Sequence, residues 1–257
     1  MFQTVQSADG TLIAYETTGT GPAVIVSGGA FNTRMSPGAL VPLLAPHFTV
    51  YSYDRRGRGD STDTQPYAIA REIEDLAALV AAAGGSAMVY GHSSGAVLAL
   101  EAAAAGLPIT KVVAYEPPFT AEENGPGSLA WADEVRAAMD AGDRELAATR
   151  FLLGIGTDPD GVAALTRQPW WPGMLAIAHT LPYDLALVGD GLVHADRIGR
   201  VAAPTLLIDG AESPPWAGTA ASVAAETIPG ARRLTLDGQD HNVDPAALAP
   251  VLIGFFA

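Results

Sequence analysis

Ala87-Met88-Val89-Tyr90-Gly91-His92-Ser93-Ser94-Gly95 decides the reading of this chain. Its first half is apolar without polar alternation, as expected of a strand buried on both faces. The second half is a small-residue turn. Residues 94–105, rich in Ala and Leu and ending at Gly106, then read as a helix. A buried strand, a tight turn and a helix form one half of a βαβ unit, and the question is whether the surrounding sequence repeats it.

It does on both sides. Upstream, residues 67–83 place Ile69, Ile73, Leu76 and Val80 at helical spacing, with Glu72, Glu74 and Asp75 on other faces, and Gly84-Gly85 stops the run. Residues 48–53 and 23–26 are β-rich, and residues 38–46 between them suit a short helix. Residues 2–6 and 11–17 flank Asp9-Gly10 and predict an antiparallel hairpin with a tight turn whose central positions both tolerate positive φ. Downstream, 109–115, 205–208 and 233–236 read as strands and 217–227 as a helix. Asp244-Pro245 opens a last helix, Asp as its cap and Pro at its first position. The expected fold class is therefore α/β, a mostly parallel eight-stranded sheet with helices on both faces. Residues 117–200 interrupt the alternation with helical patterns, many Pro and Gly, and Trp131, Trp170 and Trp171. The expected division is a core of 1–116 and 201–257 with a helical lid or cap inserted at 117–200.

Composition narrows the function. The 257 residues are 49% apolar, with 28 Gly and 19 Pro, a globular balance. There is no Cys, which excludes disulfides, thiolate metal sites and a Cys nucleophile. A net charge of −14 disfavours nucleic-acid partners, which need a basic stripe. No apolar run reaches the roughly 18 residues of a membrane span, and no secretory signal is visible, so a cytoplasmic protein acting on a small-molecule substrate is expected.

Gly91-His92-Ser93-Ser94-Gly95 matches G-x-S-x-G once. Between a strand and a helix, that pattern is a nucleophile elbow: the turn is so sharp that the neighbours of the serine must lack bulk, and it lifts the hydroxyl above the sheet edge. The next helix places its N-terminus under developing negative charge. Ser93 is the candidate nucleophile.

Further segments resemble the α/β-hydrolase family along nearly the whole chain. Tyr53-Asp54-Arg55-Arg56-Gly57-Arg58-Gly59-Asp60-Ser61 is similar to the family's D-x-R-G-x-G-x-S loop after the fourth strand. Gly28-Gly29-Ala30 is similar to its H-G-x loop after the third, with Gly28 in the usual His place. The wording also resembles a group of small actinobacterial hydrolases. The resemblance implies a serine hydrolase or esterase without a cofactor, whose oxyanion donors are the backbone N–H groups of Ala30 and Ser94. The loop around Asp54 and Arg56 is expected to brace the sheet edge.

The base should be a His after the last strand, and His241 stands there. His47, His92, His179 and His194 fit less well. The acid departs from the usual pattern. Most relatives place it three residues after the glycine that ends the seventh strand, and counting from Gly210 that position is Ser213. Glu116, at the end of the sixth strand, is the expected substitute, as in certain haloalkane dehalogenases. Glu212 and Asp209 remain as alternatives, Asp209 preferably structural. One His beside loosely spaced acids Asp240 and Asp244 is a poor metal-ligand set, so no metal is expected. Trp131, Trp170, Trp171, Met174 and Tyr183 either line an apolar pocket or pack the core of the insertion. Ester, lactone or similar acyl hydrolysis is the expected activity. A ligand receptor, a non-hydrolytic cyclase or lyase, and a perhydrolase or acyltransferase are the competing classes.

Overall fold

The computed structural model describes residues 1–119 and 130–257. In chain order its elements are β1 (Gln3–Gln6), β2 (Leu12–Thr18), β3 (Ala23–Ser27), α1 (Leu40–Leu44), β4 (Thr49–Tyr53), α2 (Ile69–Ala82), β5 (Ala87–His92), α3 (Ser94–Ala104) and β6 (Ile109–Tyr115). Then come α4 (Ala130–Asp140), α5 (Arg144–Gly154), α6 (Pro159–Leu165), α7 (Trp171–Ile177), α8 (Leu181–Val188) and α9 (Ala195–Ile198). The chain closes with β7 (Thr205–Gly210), α10 (Pro215–Thr227), β8 (Arg232–Leu236) and α11 (Pro245–Phe256).

The eight strands form one sheet in the order β1-β2-β4-β3-β5-β6-β7-β8. β2 runs antiparallel to both of its neighbours, β1 and β4, and every other pair is parallel. This is the expected α/β architecture. Adjacent residues on each strand divide between two cores because side chains alternate across a sheet. Ile25, Val89, Val112 and Leu207 face α2, α3 and α10, whereas Val24, Met88, Val113 and Leu206 face α1 and α11. The order reverses between β3 and β5: from β3 the chain goes to β4 on one side, then crosses to β5 on the other. Loops leaving the carboxyl ends of two such strands diverge and leave a crevice between them. Ser93 and the loop of Gly28, Gly29 and Ala30 stand at that point.

Two local expectations need correction. The β1–β2 turn is longer than an Asp-Gly two-residue turn: Ser7 N–H donates to Thr11 O at 2.8 Å, and of the pair only Gly10 has positive φ, at 89°. Asp9 instead accepts from Thr11 N–H at 3.0 Å, a use of its side chain that frees it from the left-handed region. Glu72 and Asp75 on α2, read on faces other than the apolar stripe, are buried as well. Each meets an arginine of the loop after β4. Arg55 pairs with Glu72 through two 2.6 Å bonds, and Arg56 pairs with Asp75 at 2.8 and 2.7 Å and reaches Asp9 at 2.9 Å. The brace expected of Asp54 and Arg56 is present: Asp54 accepts from Arg34 N–H at 2.7 Å and Asp60 N–H at 3.0 Å.

Arg56 thus ties the loop to α2 and to the hairpin. Removing one partner of a buried ion pair strands the other charge. Arg56→Met is expected to cost about 3–5 kcal/mol of stability, read as a lower urea midpoint with an unchanged slope.

Between β6 and β7 the chain leaves the sheet and builds α4 to α9. Residues 120–129 of the interval 117–200 lie outside the described residues. Phe151, Trp171, Leu181 and Leu185 form a separate core, and Trp131, Met174, Ala30 and Phe31 pack against it. Trp171 is interior to that core and Trp170 is exposed. Tyr183 is stacked on Tyr67 with ring centroids 3.9 Å apart. Among the described residues no helix is long and apolar enough to cross a membrane.

Candidate active site

Ser93 sits at φ 56° and ψ −128°, between β5 and α3. A non-glycine residue is strained there, and such strain persists only where the surroundings over-determine it. They do. Ser93 N–H donates to Tyr115 O at 2.9 Å, and the glycines on both sides admit backbone that a side chain would exclude. A Cβ on Gly95 would stand 2.6 Å from Gly28 O, and one on Gly91 would stand 2.5 Å from Ala96 Cα.

The loop after β3 lies against the serine. A Cβ on Gly29 would stand 2.8 Å from Ser93 Cβ and 3.3 Å from its Oγ, so only glycine allows this approach. Among the described residues neither the Ala30 N–H nor the Ser94 N–H has an acceptor. For Ser94 the reason is its place: it is the first residue of α3, where no carbonyl lies one turn back.

Glu116 follows β6 directly, at φ 43°, and is fully buried. Its backbone N–H donates to Ile208 O at 2.8 Å, which pins it to the end of β7. Oε1 accepts from Gly210 N–H at 2.8 Å and from the Ser213 hydroxyl at 2.5 Å, and Oε2 meets His241 Nδ1 at 2.6 Å. Burial pushes the Glu116 carboxyl up, but the hydrogen bonds from His241, Ser213 and Gly210 outweigh it and hold the group below its ordinary range. The ionised carboxylate only accepts, so Nδ1 carries a proton and Nε2 is the nitrogen that can serve as a base. Ser213, at the place where most relatives are expected to put the acid, is a donor to Glu116.

The other carboxylates stand elsewhere. Asp209 is occupied by Arg233, at 2.8 Å from Nε and 2.9 Å from Nη2, and by the Thr235 hydroxyl at 3.0 Å. Glu212 is exposed, and no hydrogen bond among the described residues reaches its side chain. The His47 ring lies tilted beside Phe48, with centroids 6.1 Å apart, and His194 pairs with Asp190 on the surface.

Two residues that the sequence reading had not assigned to the site hold the His241 loop. His92 Nε2 is 2.8 Å from the His241 carbonyl, and the Tyr115 hydroxyl donates to Asp240 O at 2.5 Å. Because a carbonyl only accepts, His92 carries its proton on Nε2. Burial, reinforced by the neighbouring His241, pushes the His92 pKa down to about 4, so it stays neutral and donates. The rings of His92 and His241 are 4.7 Å apart, which places the His241 imidazole beside the residue that precedes Ser93. Among the described residues no hydrogen bond joins Ser93 Oγ to His241. Nothing in the local sequence marked these contacts, since they join main chain to residues 125 and 149 positions away. Among the described residues no group of three or more His, Asp or Glu side chains is arranged to hold a metal ion.

The family model of the alpha/beta hydrolase family matches residues 23–251. Among solved structures the chain is similar to an alpha/beta hydrolase from Sphaerobacter thermophilus, with 51% identity, a TM-score of 0.93, and coverage of 99% of this chain and 100% of that one. It is similar to a hydrolase from Pseudomonas aeruginosa at 27% identity and a TM-score of 0.80, covering 100% and 98% of the two chains. An esterase from Rhodococcus sp. ECU1013 shares the fold at 22% identity and a TM-score of 0.76, with 99% and 98% covered.

Proposed function

Because this chain belongs to the alpha/beta hydrolase family, we propose that it hydrolyses a carboxylic ester, lactone or similar acyl bond of a small to medium apolar substrate through an acyl-enzyme on Ser93. The observation that carries this reading is the 2.6 Å contact between buried Glu116 and His241 Nδ1, beside the elbow. It sets the tautomer that a general base needs.

His241 Nε2 takes the Ser93 proton as Oγ attacks the carbonyl carbon. This step brings the imidazole to hydrogen-bond reach of Oγ, a contact that in such sites tightens in the substrate complex. Negative charge develops on the carbonyl oxygen, and the N–H groups of Ala30 and Ser94 receive it. The imidazolium, stabilised by Glu116, returns its proton to the leaving oxygen. Water, deprotonated by His241, then releases the acid and regenerates the serine.

The described helices of the inserted segment, α4 to α9, serve as a cap over this site. Support comes from the oxyanion loop, whose Phe31 meets Phe151 of α5 edge-on at 5.6 Å. Expelling water around Ser93 strengthens every hydrogen bond made to the developing charge.

Intact mass spectrometry tests the proposal. Incubation with p-nitrophenyl acetate and rapid acid quench is expected to add one acetyl group, and a fluorophosphonate is expected to label Ser93 stoichiometrically. Labelling with no hydrolysis of an ester and lactone panel would leave a receptor or a non-hydrolytic catalyst. Faster turnover with added peroxide or alcohol than with water would mark a perhydrolase or acyltransferase. No adduct at Ser93 overturns the acyl-enzyme.

A further inference from the structure

Four charged side chains lie buried beneath the two candidate oxyanion donors. They are Arg55 and Arg58 from the loop after β4, Glu72 from α2, and Asp184 from α8 of the inserted segment. Arg58 Nη2 donates to both Asp184 oxygens, at 2.9 and 2.7 Å, and its Nε donates to the Thr180 hydroxyl at 3.0 Å. Its remaining nitrogen, Nη1, donates to the carbonyl of Gly29 at 2.5 Å. Asp184 Oδ1 also accepts from Arg55 Nη1 at 2.7 Å and from the Ser94 hydroxyl at 2.6 Å.

The Gly29 carbonyl and the Ala30 N–H belong to one peptide group. In a trans peptide they point in opposite directions, so fixing the carbonyl on a buried guanidinium fixes the N–H away from it. A charge-assisted bond to the carbonyl also polarises the peptide and strengthens its N–H as a donor. The second donor, Ser94 N–H, is held from its own side chain by the same Asp184. One carboxylate from the inserted segment therefore stands behind both donors.

Stability does not account for this cluster. Burying two arginines and two carboxylates costs desolvation that their attraction roughly balances, and well-packed apolar residues of similar volume would hold the same space at equal or lower free energy. Orientation of the two donors is what apolar residues would not supply.

We propose that Arg58 and Asp184 are positioning residues for the oxyanion hole: Asp184 holds Arg58 on the Gly29 carbonyl and Ser94 by its hydroxyl, so that the inserted segment sets the direction of both N–H donors. This rests on the acyl-enzyme reading of Ser93.

The test compares Arg58→Lys and Asp184→Asn with wild type and with Arg56→Lys. Arg56 is an equally buried arginine that pairs with Asp75 and Asp9 and touches neither donor. Fluorophosphonate titration counts competent sites, and kcat and KM for an activated ester are then read per titrated site, with affinity for an alkyl trifluoromethyl ketone. Deleting one oxyanion donor outright costs about 10²–10³-fold in kcat, so misdirecting one is expected to cost about 10-fold or more. KM should stay within about 3-fold, and the ketone, which mimics the tetrahedral adduct, should weaken by the same factor as kcat. Arg56→Lys is expected to lower the melting temperature while leaving both quantities near wild type. The proposal is overturned if Arg58→Lys and Asp184→Asn match Arg56→Lys, or if they raise KM without lowering kcat. Failure of both variants to fold, with Arg56→Lys folded, would also overturn it and leave the cluster as a folding element. A wild-type protein that does not label at Ser93 would instead remove the parent reading.

Discussion

Ser93→Ala is expected to lower kcat/KM for an activated ester by about 10⁴-fold or more, since in a nucleophile–base–acid unit the nucleophile takes the catalytic advantage of the others with it. That loss corresponds to about 5–6 kcal/mol of transition-state stabilisation. The fold should be indifferent to the change. Among the described residues Ser93 Oγ makes no hydrogen bond to His241, so its removal strands no partner there. Alanine meets the same strain at φ 56° that serine already bears. Stability within about 0.5 kcal/mol of wild type is expected, so loss of turnover reports chemistry and not unfolding. Residual turnover of about 10³-fold over water would reflect the donors at Ala30 and Ser94 acting on bound substrate. Wild-type activity in this variant would sink the assignment of the nucleophile, leaving the family membership and the fold untouched.

The geometry of the turn at Ser93 was legible because its steric requirements fall within five consecutive residues. Gly91 and Gly95 are required by contacts at 2.5 Å to Ala96 Cα and 2.6 Å to Gly28 O, and a local requirement of that kind leaves a local signature. The central strands were legible for a related reason: burial on both faces demands unbroken apolar runs, as at Val112-Val113 and Leu206-Leu207. The hairpin and the start of α10 were read less well. Asp9 makes a side-chain bond in place of positive φ, and the helix expected from 217 already opens at Pro215. The charged cluster was not legible at all. Glu72 and Asp75 lie on α2 where a solvent-facing pattern would put them, and their partners Arg55 and Arg56 are 17 and 19 positions away. Asp184 is 126 positions from Arg58. A buried ion pair is defined by tertiary approach, and neither half of it announces the other in the chain.

The acid position follows the same division, and it gives the second large expected effect. The family resemblance implied a carboxylate where Ser213 stands, and Glu116 was the substitute expected on the neighbouring strand. In the structure Glu116 offers Oε1 to two donors, Gly210 N–H and Ser213 OH, and Oε2 to His241 Nδ1. Glutamine in its place has one acceptor oxygen and one NH₂ group. The oxygen satisfies two donors on the Gly210 side and only one on the His241 side, so the amide settles with NH₂ toward Nδ1. That orientation forces the imidazole proton onto Nε2 and removes the base. Glu116→Gln is therefore expected to lower kcat by about 10³–10⁴-fold, as misdirecting the tautomer does in other triads, with KM little changed. Glu212→Gln, measured beside it, should stay within about 2-fold because that side chain is exposed, and Asp209→Asn should cost stability through Arg233 more than rate. The vacancy can also be refilled from the other strand. Glu116→Gly relieves the backbone at φ 43° and clears the space, and adding Ser213→Asp places a carboxylate where the hydroxyl now lies 2.5 Å from Glu116 Oε1. The double variant is expected to recover at least about 10-fold over Glu116→Gly alone, since a restored acid again orients the imidazole and stabilises its charged form. Recovery would show that the site needs a carboxylate on Nδ1 and is indifferent to which strand supplies it. An unimpaired Glu116→Gln would mean that the 2.6 Å contact orients nothing on which the reaction depends.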